Sequence, residues 1–130
     1  LRLPFNVPLA VLLRPDLPPA LRAIARESGF DPADALLELT ESTQVRDTAL
    51  LRRALRRLRR NGFGVLLDDF GLDDPRRPLI GLPFAGIKLD RGLVVAMPGE
   101  RRARGEVQRL VAAVRGVGGV VIAEGVSDPR

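Results

Sequence analysis

The chain has 130 residues, of which 45% are hydrophobic, and this suits a single folded domain rather than a disordered segment. It contains neither cysteine nor histidine. This excludes disulfides, thiolate metal sites, histidine-based triads and histidine-ligated zinc, so a bound metal would need oxygen or lone nitrogen ligands. The net charge is +5, and every basic residue except Lys88 is arginine, which favours compositional bias over a nucleic-acid-binding surface.

Short apolar runs recur along the chain and are the candidate β-strands. Each run is continuous rather than alternating, which is typical of strands that are buried on both faces of a parallel sheet. The predicted strands are Leu3–Val7, Ala35–Leu39, Gly64–Leu67, Ala85–Leu89 and Gly119–Ala123.

Helical patterns separate these runs. The predicted helices are Pro18–Ser28, Asp47–Arg60 and Gly105–Arg115, and the proline-rich stretch Pro75–Leu82 is predicted to be a loop with one turn. Asp16, and either Asp47 or Thr48, are the candidate N-caps. Strands that alternate with helices indicate an α/β fold with a parallel sheet, either an open doubly wound sheet or part of a (β/α)₈ barrel. A complete barrel needs ~250 residues, so the chain would form about half of one.

Polar side chains lie inside or just after every predicted strand. Ligands of parallel α/β proteins bind at the carboxyl ends of the strands, so these side chains are predicted to converge on one mouth. Carboxylates gathered there repel one another unless cations neutralise them, and all-oxygen ligation suits Mg²⁺, Mn²⁺ or Ca²⁺. The residues are Asn6, Glu38, Glu41, Asp68, Asp69, Lys88, Asp90 and Glu124.

This set of residues suits phosphodiester chemistry. Two cations ~4 Å apart can clamp a phosphodiester and activate water. Asn6 would supply a neutral carbonyl ligand, and Lys88 would stabilise charge or orient the nucleophile. Because the chain otherwise uses arginine, the single lysine suggests a need for a compact ammonium group.

The adjacent carboxylates of Asp68 and Asp69 raise a geometric question. On a straight strand, neighbouring side chains point to opposite faces of the sheet. Gly71 is predicted to let the backbone turn at the end of the strand, so that both carboxylates face the same pair of cations.

Each candidate also has a simpler interpretation. Asp68 can cap the following segment in a solvated turn, and Glu41 can cap a helix. Lys88 can be an ion-pair partner, and Asn6 can be a turn residue. The arginines of "LRRALRRLRR" are expected to flank an amphipathic helix rather than to contact nucleic acid.

Four linked motifs, "LLELTES", "VLLDDFG", "AGIKLDRGLV" and "VVIAEGV", together resemble the EAL domain, the family of cyclic-di-GMP phosphodiesterases. The opening "PFNVPLAVLLRPDL" is similar to the family's strand that carries a metal-ligand asparagine. The resemblance covers nearly the whole chain. It implies a TIM-type (β/α) barrel that hydrolyses cyclic-di-GMP to pGpG with two Mg²⁺ or Mn²⁺ ions, in bacterial second-messenger signalling.

The resemblance also implies roles for matching positions. Lys88 would contact the catalytic water, Glu124 would join the metal and water network, and Glu41 would brace the loop after "DDFG". Asp90 would lie close to the metals and contact substrate. The implied metal ligands are Asn6, Glu38, Asp68 and Asp69.

The sequence departs from the family pattern at several points. The strand with the Glu-Ala-Leu signature and the last strand with its catalytic glutamine are absent, so residues 1–130 are expected to be a partial domain of about five strands. The loop after "DDFG", which reads Thr-Gly-Tyr-Ser-Ser-Leu in the family, is "LDDPRRPL" here and about one residue shorter. In the family that loop helps to order the metal site and the dimer interface.

Two hypotheses follow from the resemblance. The intact protein is a cyclic-di-GMP phosphodiesterase, although the isolated 130 residues are expected to show no turnover. Alternatively, the altered loop marks a catalytically inactive domain that serves as a cyclic-di-GMP receptor or protein-interaction module.

The implied partners are cyclic-di-GMP, a second copy in a homodimer, and sensor, receiver or diguanylate-cyclase domains in the full-length chain. No nucleic acid polymer is expected. The implied location is the cytoplasm, including the case of a larger membrane-attached signalling protein.

Overall fold

A computed structural model describes residues 3–39 and 45–123 of the chain. Its strands are parallel and form one sheet in the order β1-β2-β3-β4-β5, which confirms the predicted α/β class. The strands are β1 (Leu3–Asn6), β2 (Ala35–Leu39), β3 (Gly64–Phe70), β4 (Gly86–Leu89) and β5 (Val120–Ala123). Contacts divide the chain into two compact units, Leu1–Leu66 and Leu67–Arg130, and the boundary falls inside β3.

The helices confirm the three predicted segments and add two short ones. The predicted turn in the proline-rich stretch is a 3₁₀ turn at Arg77–Leu79. The two short helices were not predicted, because four to six residues are too few to show a helical period. The helices are α1 (Leu9–Leu12), α2 (Leu17–Ser28), α3 (Thr48–Arg60), α4 (Arg91–Ala96) and α5 (Arg101–Gly116). None of the helices in residues 3–39 and 45–123 has the length and apolarity to cross a membrane.

In the first unit, α3 buries an apolar face and exposes its arginines. Its buried residues are Leu51, Ala54, Leu55 and Leu58, each at most 2% exposed. The carboxylate of Asp47 caps the helix by accepting a hydrogen bond from the Leu50 N–H (3.0 Å). Arginines on the opposite side are exposed, as predicted for the solvated flank of an amphipathic helix.

The predicted cap at Asp16 takes a different form. Asp16 occupies the N-cap position of α2, but its carboxylate binds no helix N–H. Instead it accepts two hydrogen bonds from the Arg14 guanidinium, at 2.9 and 2.8 Å. A fully charged partner two residues away therefore competes successfully with the helix terminus for this carboxylate.

In the second unit, two glycines join α5 to β5. Gly118 has a positive φ of 79°, a conformation that glycine adopts without steric cost. Gly119 is buried so tightly that an added Cβ would lie 2.8 Å from both the Phe84 carbonyl oxygen and Cγ1 of Val114. The absence of a side chain at Gly119 therefore lets β5 enter the sheet directly beside β4 and α5.

Candidate functional site

In the first unit, Asn6 and Glu38 lie side by side at the carboxyl ends of their strands. The parallel register of β1 and β2 pairs Asn6 with Glu38, and the Val7 N–H donates to the Glu38 carbonyl oxygen (2.9 Å). Glu38 is only 8% exposed, whereas Asn6 is exposed. An amide and a carboxylate thus end adjacent strands, as the sequence predicted for two metal ligands.

In the second unit, the strand β3 extends through both adjacent aspartates. Asp68 keeps strand geometry, but Asp69 has a left-handed backbone with a φ of 58°. The positive φ thus falls at Asp69 itself, whereas Gly71, which was predicted to let the backbone turn after the strand, has none. Aspartate is one of the few residues other than glycine that tolerate this conformation, since its short side chain can bond locally.

The carboxylate of Asp69 lies in a cluster of negative charge. Partial desolvation raises the pKa of Asp69, and so do the charge and side-chain hydrogen bond of Asp90 and the charge of Asp68. The charge of the Arg76 guanidinium opposes these effects. A carboxylate held among others in this way gains from a nearby cation, because a cation removes the repulsion that raises its pKa.

Lys88 is the basic residue paired with this cluster. Its Nζ lies 3.5 Å from Oδ1 of Asp68, and the two side chains are 12% and 23% exposed. The ion-pair interpretation of Lys88 is thus confirmed. This ion pair is compatible with a role for Lys88 in orienting water, because its ammonium lies beside Asp68, one of the predicted metal ligands.

Asp90 ties the end of β4 to the end of β3 and starts α4. Its backbone N–H donates to the Phe70 carbonyl oxygen (2.8 Å), and its carboxylate accepts from the Gly92 N–H (3.2 Å). The Asp90 carboxylate is also close enough to Asp69 to raise the pKa of that residue. The sequence analysis did not assign this capping role, although aspartate is a preferred residue immediately before the first turn of a helix.

The loop after β3 contains an ion pair that sequence reasoning missed. Asp74 accepts hydrogen bonds from the Gly71 and Arg76 N–H groups, and its carboxylate also binds Nε and Nη2 of Arg76 (3.0 and 2.9 Å). Burial alone would raise the pKa of Asp74, but these hydrogen bonds outweigh it and lower the pKa. An aspartate before proline with an arginine behind it is a turn pattern, and that signal could have identified the pair.

A second set of ion pairs ties this loop to α5. Arg77 donates to both carboxylate oxygens of Glu106, whose side chain is 1% exposed, and Arg109 also donates to Glu106 (2.9 Å). Arg102 binds Asp73. Some arginines of the chain thus form ion pairs between the loop and α5, while others lie on the solvent-facing surface.

The chemistry of the donors fits a divalent cation, although the described part of the site is incomplete. Among residues 3–39 and 45–123, no three histidine, cysteine, aspartate or glutamate side chains form a group that could hold a metal ion. Glu41 and Glu124, which were predicted to act in catalysis, lie outside the described residues. Apart from Lys88, the remaining candidates offer oxygen ligands, which Mg²⁺, Mn²⁺ and Ca²⁺ prefer.

The profile of the EAL domain family matches residues 1–130. The chain belongs to the EAL domain family. A cyclic di-GMP phosphodiesterase of Pseudomonas aeruginosa, RocR, is 32% identical over 129 residues, which are 98% of this chain and 33% of that protein. This EAL chain therefore spans about a third of that relative's length.

Solved structures show the same fold. The EAL domain of Mycobacterium smegmatis DcpA has a TM-score of 0.80 and 29% identity, and the match covers 100% of this chain and 59% of that one. Klebsiella pneumoniae BlrP1, solved as a manganese and cyclic-di-GMP complex, has a TM-score of 0.78 and 27% identity over 97% of this EAL chain and 33% of its own. The predicted TIM-type fold is thereby confirmed.

Proposed function

We propose that this EAL domain takes part in the hydrolysis of cyclic-di-GMP to pGpG by the full-length protein, with Mg²⁺ or Mn²⁺ as the metal. The observation that carries the proposal is the charge cluster at the carboxyl ends of β3 and β4. There the carboxylates of Asp68, Asp69 and Asp90 interact, and Lys88 lies 3.5 Å from Asp68. Relatives named as cyclic di-GMP phosphodiesterases support the choice of substrate.

Residues 1–130 are, on this proposal, one part of the catalytic domain. The match to the DcpA EAL domain covers 59% of that chain, which supports the view that further strands complete the site. The remaining ligands, a homodimer through the EAL domain, and neighbouring signalling domains would then belong to the full-length protein.

Divalent cations, when bound, polarise the phosphate and activate water. On this proposal the residues of this chain would hold the cations and place the water: Asn6, Glu38, Asp68 and Asp69 would act as ligands, and Lys88 would hold the attacking water beside Asp68. The water oxygen would bond to phosphorus as the ring P–O3′ bond breaks, and the proton that the water loses would pass through solvent to the departing 3′ oxygen. Asp90 positions the Asp69 carboxylate close to the substrate, and Glu41 and Glu124 complete the catalytic set.

A second candidate is a receptor that binds cyclic-di-GMP without cleaving it. The loop after β3 favours this candidate, because it lacks the family's Thr-Gly-Tyr-Ser-Ser-Leu sequence and instead carries an ion pair between Asp74 and Arg76. A domain that retains the carboxyl ends of its strands can still recognise the nucleotide.

The two candidates differ in one assay. The full-length protein is incubated with cyclic-di-GMP and Mn²⁺, and pGpG is measured by chromatography while nucleotide binding is measured by calorimetry. The phosphodiesterase proposal expects pGpG from the wild type, and a loss of at least about a hundredfold in Asp68→Asn. Arg56→Gln on the exposed face of α3 is the control and should behave as wild type. Nucleotide binding without any pGpG would support the receptor instead.

A further inference from the structure

The backbone at Asp69 is held by a side chain from the following loop. Nη2 of Arg76 donates to the Asp69 carbonyl oxygen (3.0 Å) while it also binds Asp74 (2.9 Å). The guanidinium lies over the ring of Phe70, with Cζ 5.8 Å from the ring centroid. Arg76 thus contacts the carbonyl oxygen of Asp69, the ring of Phe70 and the carboxylate of Asp74.

Arg76 is itself fixed in place. It is 7% exposed, and Asp74 grips it through Nε, Nη2 and the backbone N–H. A planar guanidinium can form the fork on a carboxylate and reach a carbonyl oxygen at the same time, whereas an ammonium is a point donor without that fork. The contact to Asp69 therefore depends on arginine specifically.

Stability alone does not account for this pair. Buried ion pairs commonly contribute little net stability, since desolvation offsets their attraction. Nη1 of Arg76 is also buried and has no hydrogen-bond partner within the described part of the chain, which adds a further cost. Burying the Arg76–Asp74 pair therefore costs free energy, and the rigid pair is better suited to fixing the position of the Asp69 backbone than to stabilising the fold.

We propose that Arg76, gripped by Asp74, is a positioning residue that fixes the left-handed backbone of Asp69 and so aims its carboxylate for metal binding. The loop that departs from the family sequence thereby supplies its own support for the site. The link to metal binding rests on the proposed function, whereas the control of the Asp69 backbone does not.

Arg77 provides a matched control. It is the next residue along the same loop and also forks onto a carboxylate, that of Glu106, but its bonds run to α5 and none of them reaches Asp69. Arg76→Lys and Arg77→Lys make the same chemical change and each removes one fork, so a general loosening of the loop affects both variants.

The experiment measures two properties of the full-length protein and both variants, well below their melting temperatures. The Asp69 backbone chemical shifts report its left-handed conformation without metal, and electron paramagnetic resonance titration gives the Mn²⁺ affinity. Residues that orient metal ligands typically change affinity 10- to 100-fold. We expect Arg76→Lys to shift the Asp69 resonances out of the left-handed range and to weaken Mn²⁺ binding about tenfold. Arg77→Lys should leave both within twofold of wild type.

The outcomes separate the two proposals. If the Asp69 resonances in Arg76→Lys match wild type, or if Arg77→Lys changes them equally, the positioning role is overturned and the pair is merely structural. If Asp69 responds only to Arg76→Lys but even the wild type binds no Mn²⁺, the positioning role stands and the proposed function fails.

Discussion

Asp74 and Arg76 form a buried, two-pronged ion pair, with both side chains more than nine-tenths buried and contacts of 2.9 and 3.0 Å. The pair lies in the loop where the chain departs from its family's sequence. Through Nη2, it also reaches the carbonyl oxygen of Asp69 (3.0 Å). The loop after β3 thus forms a defined network of hydrogen bonds with the end of the strand.

The first prediction concerns the pH dependence that Asp74 contributes. Its pKa is lowered in the folded protein, so its stabilising effect is present above the unfolded value of about 3.9 and is lost as the pH falls through the lower folded value. Asp74→Asn should therefore be less stable than wild type at pH 7, and the difference should shrink below about pH 4. Urea unfolding at pH 3 to 7 measures this. A difference that stays constant with pH would show that charge is not the cause.

The second prediction concerns the repulsion around Asp69. Because desolvation and the neighbouring carboxylates raise the pKa of Asp69, its ionised form lowers stability as the pH rises above the unfolded value, and this cost is absent in acid. Metal-free Asp69→Asn should therefore be more stable than wild type at pH 7 but not at pH 3. Asparagine also tolerates the left-handed backbone, so the comparison isolates charge.

Added metal should reverse the order of stability of the wild type and Asp69→Asn. Excess Mn²⁺ stabilises a protein that binds it in the folded state, so the wild-type melting temperature should rise above that of Asp69→Asn. Thermal unfolding with and without Mn²⁺ provides the measurement. If Mn²⁺ raises both melting temperatures equally, Asp69 is not a ligand.

The third prediction separates catalysis from metal binding at Lys88. Its ammonium lies 3.5 Å from Asp68, and replacing it by methionine removes a positive charge that repels cations. Lys88→Met should therefore keep or increase the Mn²⁺ affinity, while pGpG formation falls by about 10²- to 10⁴-fold through loss of a group that acts on the attacking water. An equal loss of affinity and turnover would instead make Lys88 a structural support for the site.

The fourth prediction tests the close packing between α5 and β5. Gly119→Ala places a Cβ 2.8 Å from the Phe84 carbonyl oxygen and from Val114, and such overpacking costs about 1–3 kcal/mol of unfolding free energy. Gly116→Ala is the control, because an added Cβ there has no neighbour within 4 Å and alanine favours the helix. Chemical unfolding of both variants distinguishes them, and similar stabilities would mean that β5 can shift to make room.

The sequence predicted what continuous patterns encode. The short, continuous apolar runs located the five strands, and the helical spacing of Leu51, Ala54, Leu55 and Leu58 located α3 with its buried face. The polar residues at the carboxyl ends of the predicted strands included Asn6 and Glu38, and the register of β1 and β2 places these two side by side. These features depend on residue type and period, and both are visible in a single sequence.

The sequence did not predict features that depend on one dihedral angle or one long side chain. The left-handed turn at Asp69 was assigned to Gly71, because glycine is the usual residue for such a turn but aspartate also accepts it. The reach of Arg76 to the Asp69 carbonyl depends on a loop path that composition does not encode. The burial of Glu106 against Arg77 and Arg109 was not predicted either, because glutamate on a helix is usually exposed.

The central claim is that the carboxylates at the end of β3 bind a divalent cation for phosphodiester hydrolysis. The most direct measurement is a Mn²⁺ titration of the full-length protein and of its Asp68→Asn, Asp69→Asn double variant, followed by electron paramagnetic resonance. The account predicts saturable binding by the wild type and at least about a hundredfold weaker binding by the double variant. Equal binding by the two proteins, or no saturable binding by the wild type, would contradict it.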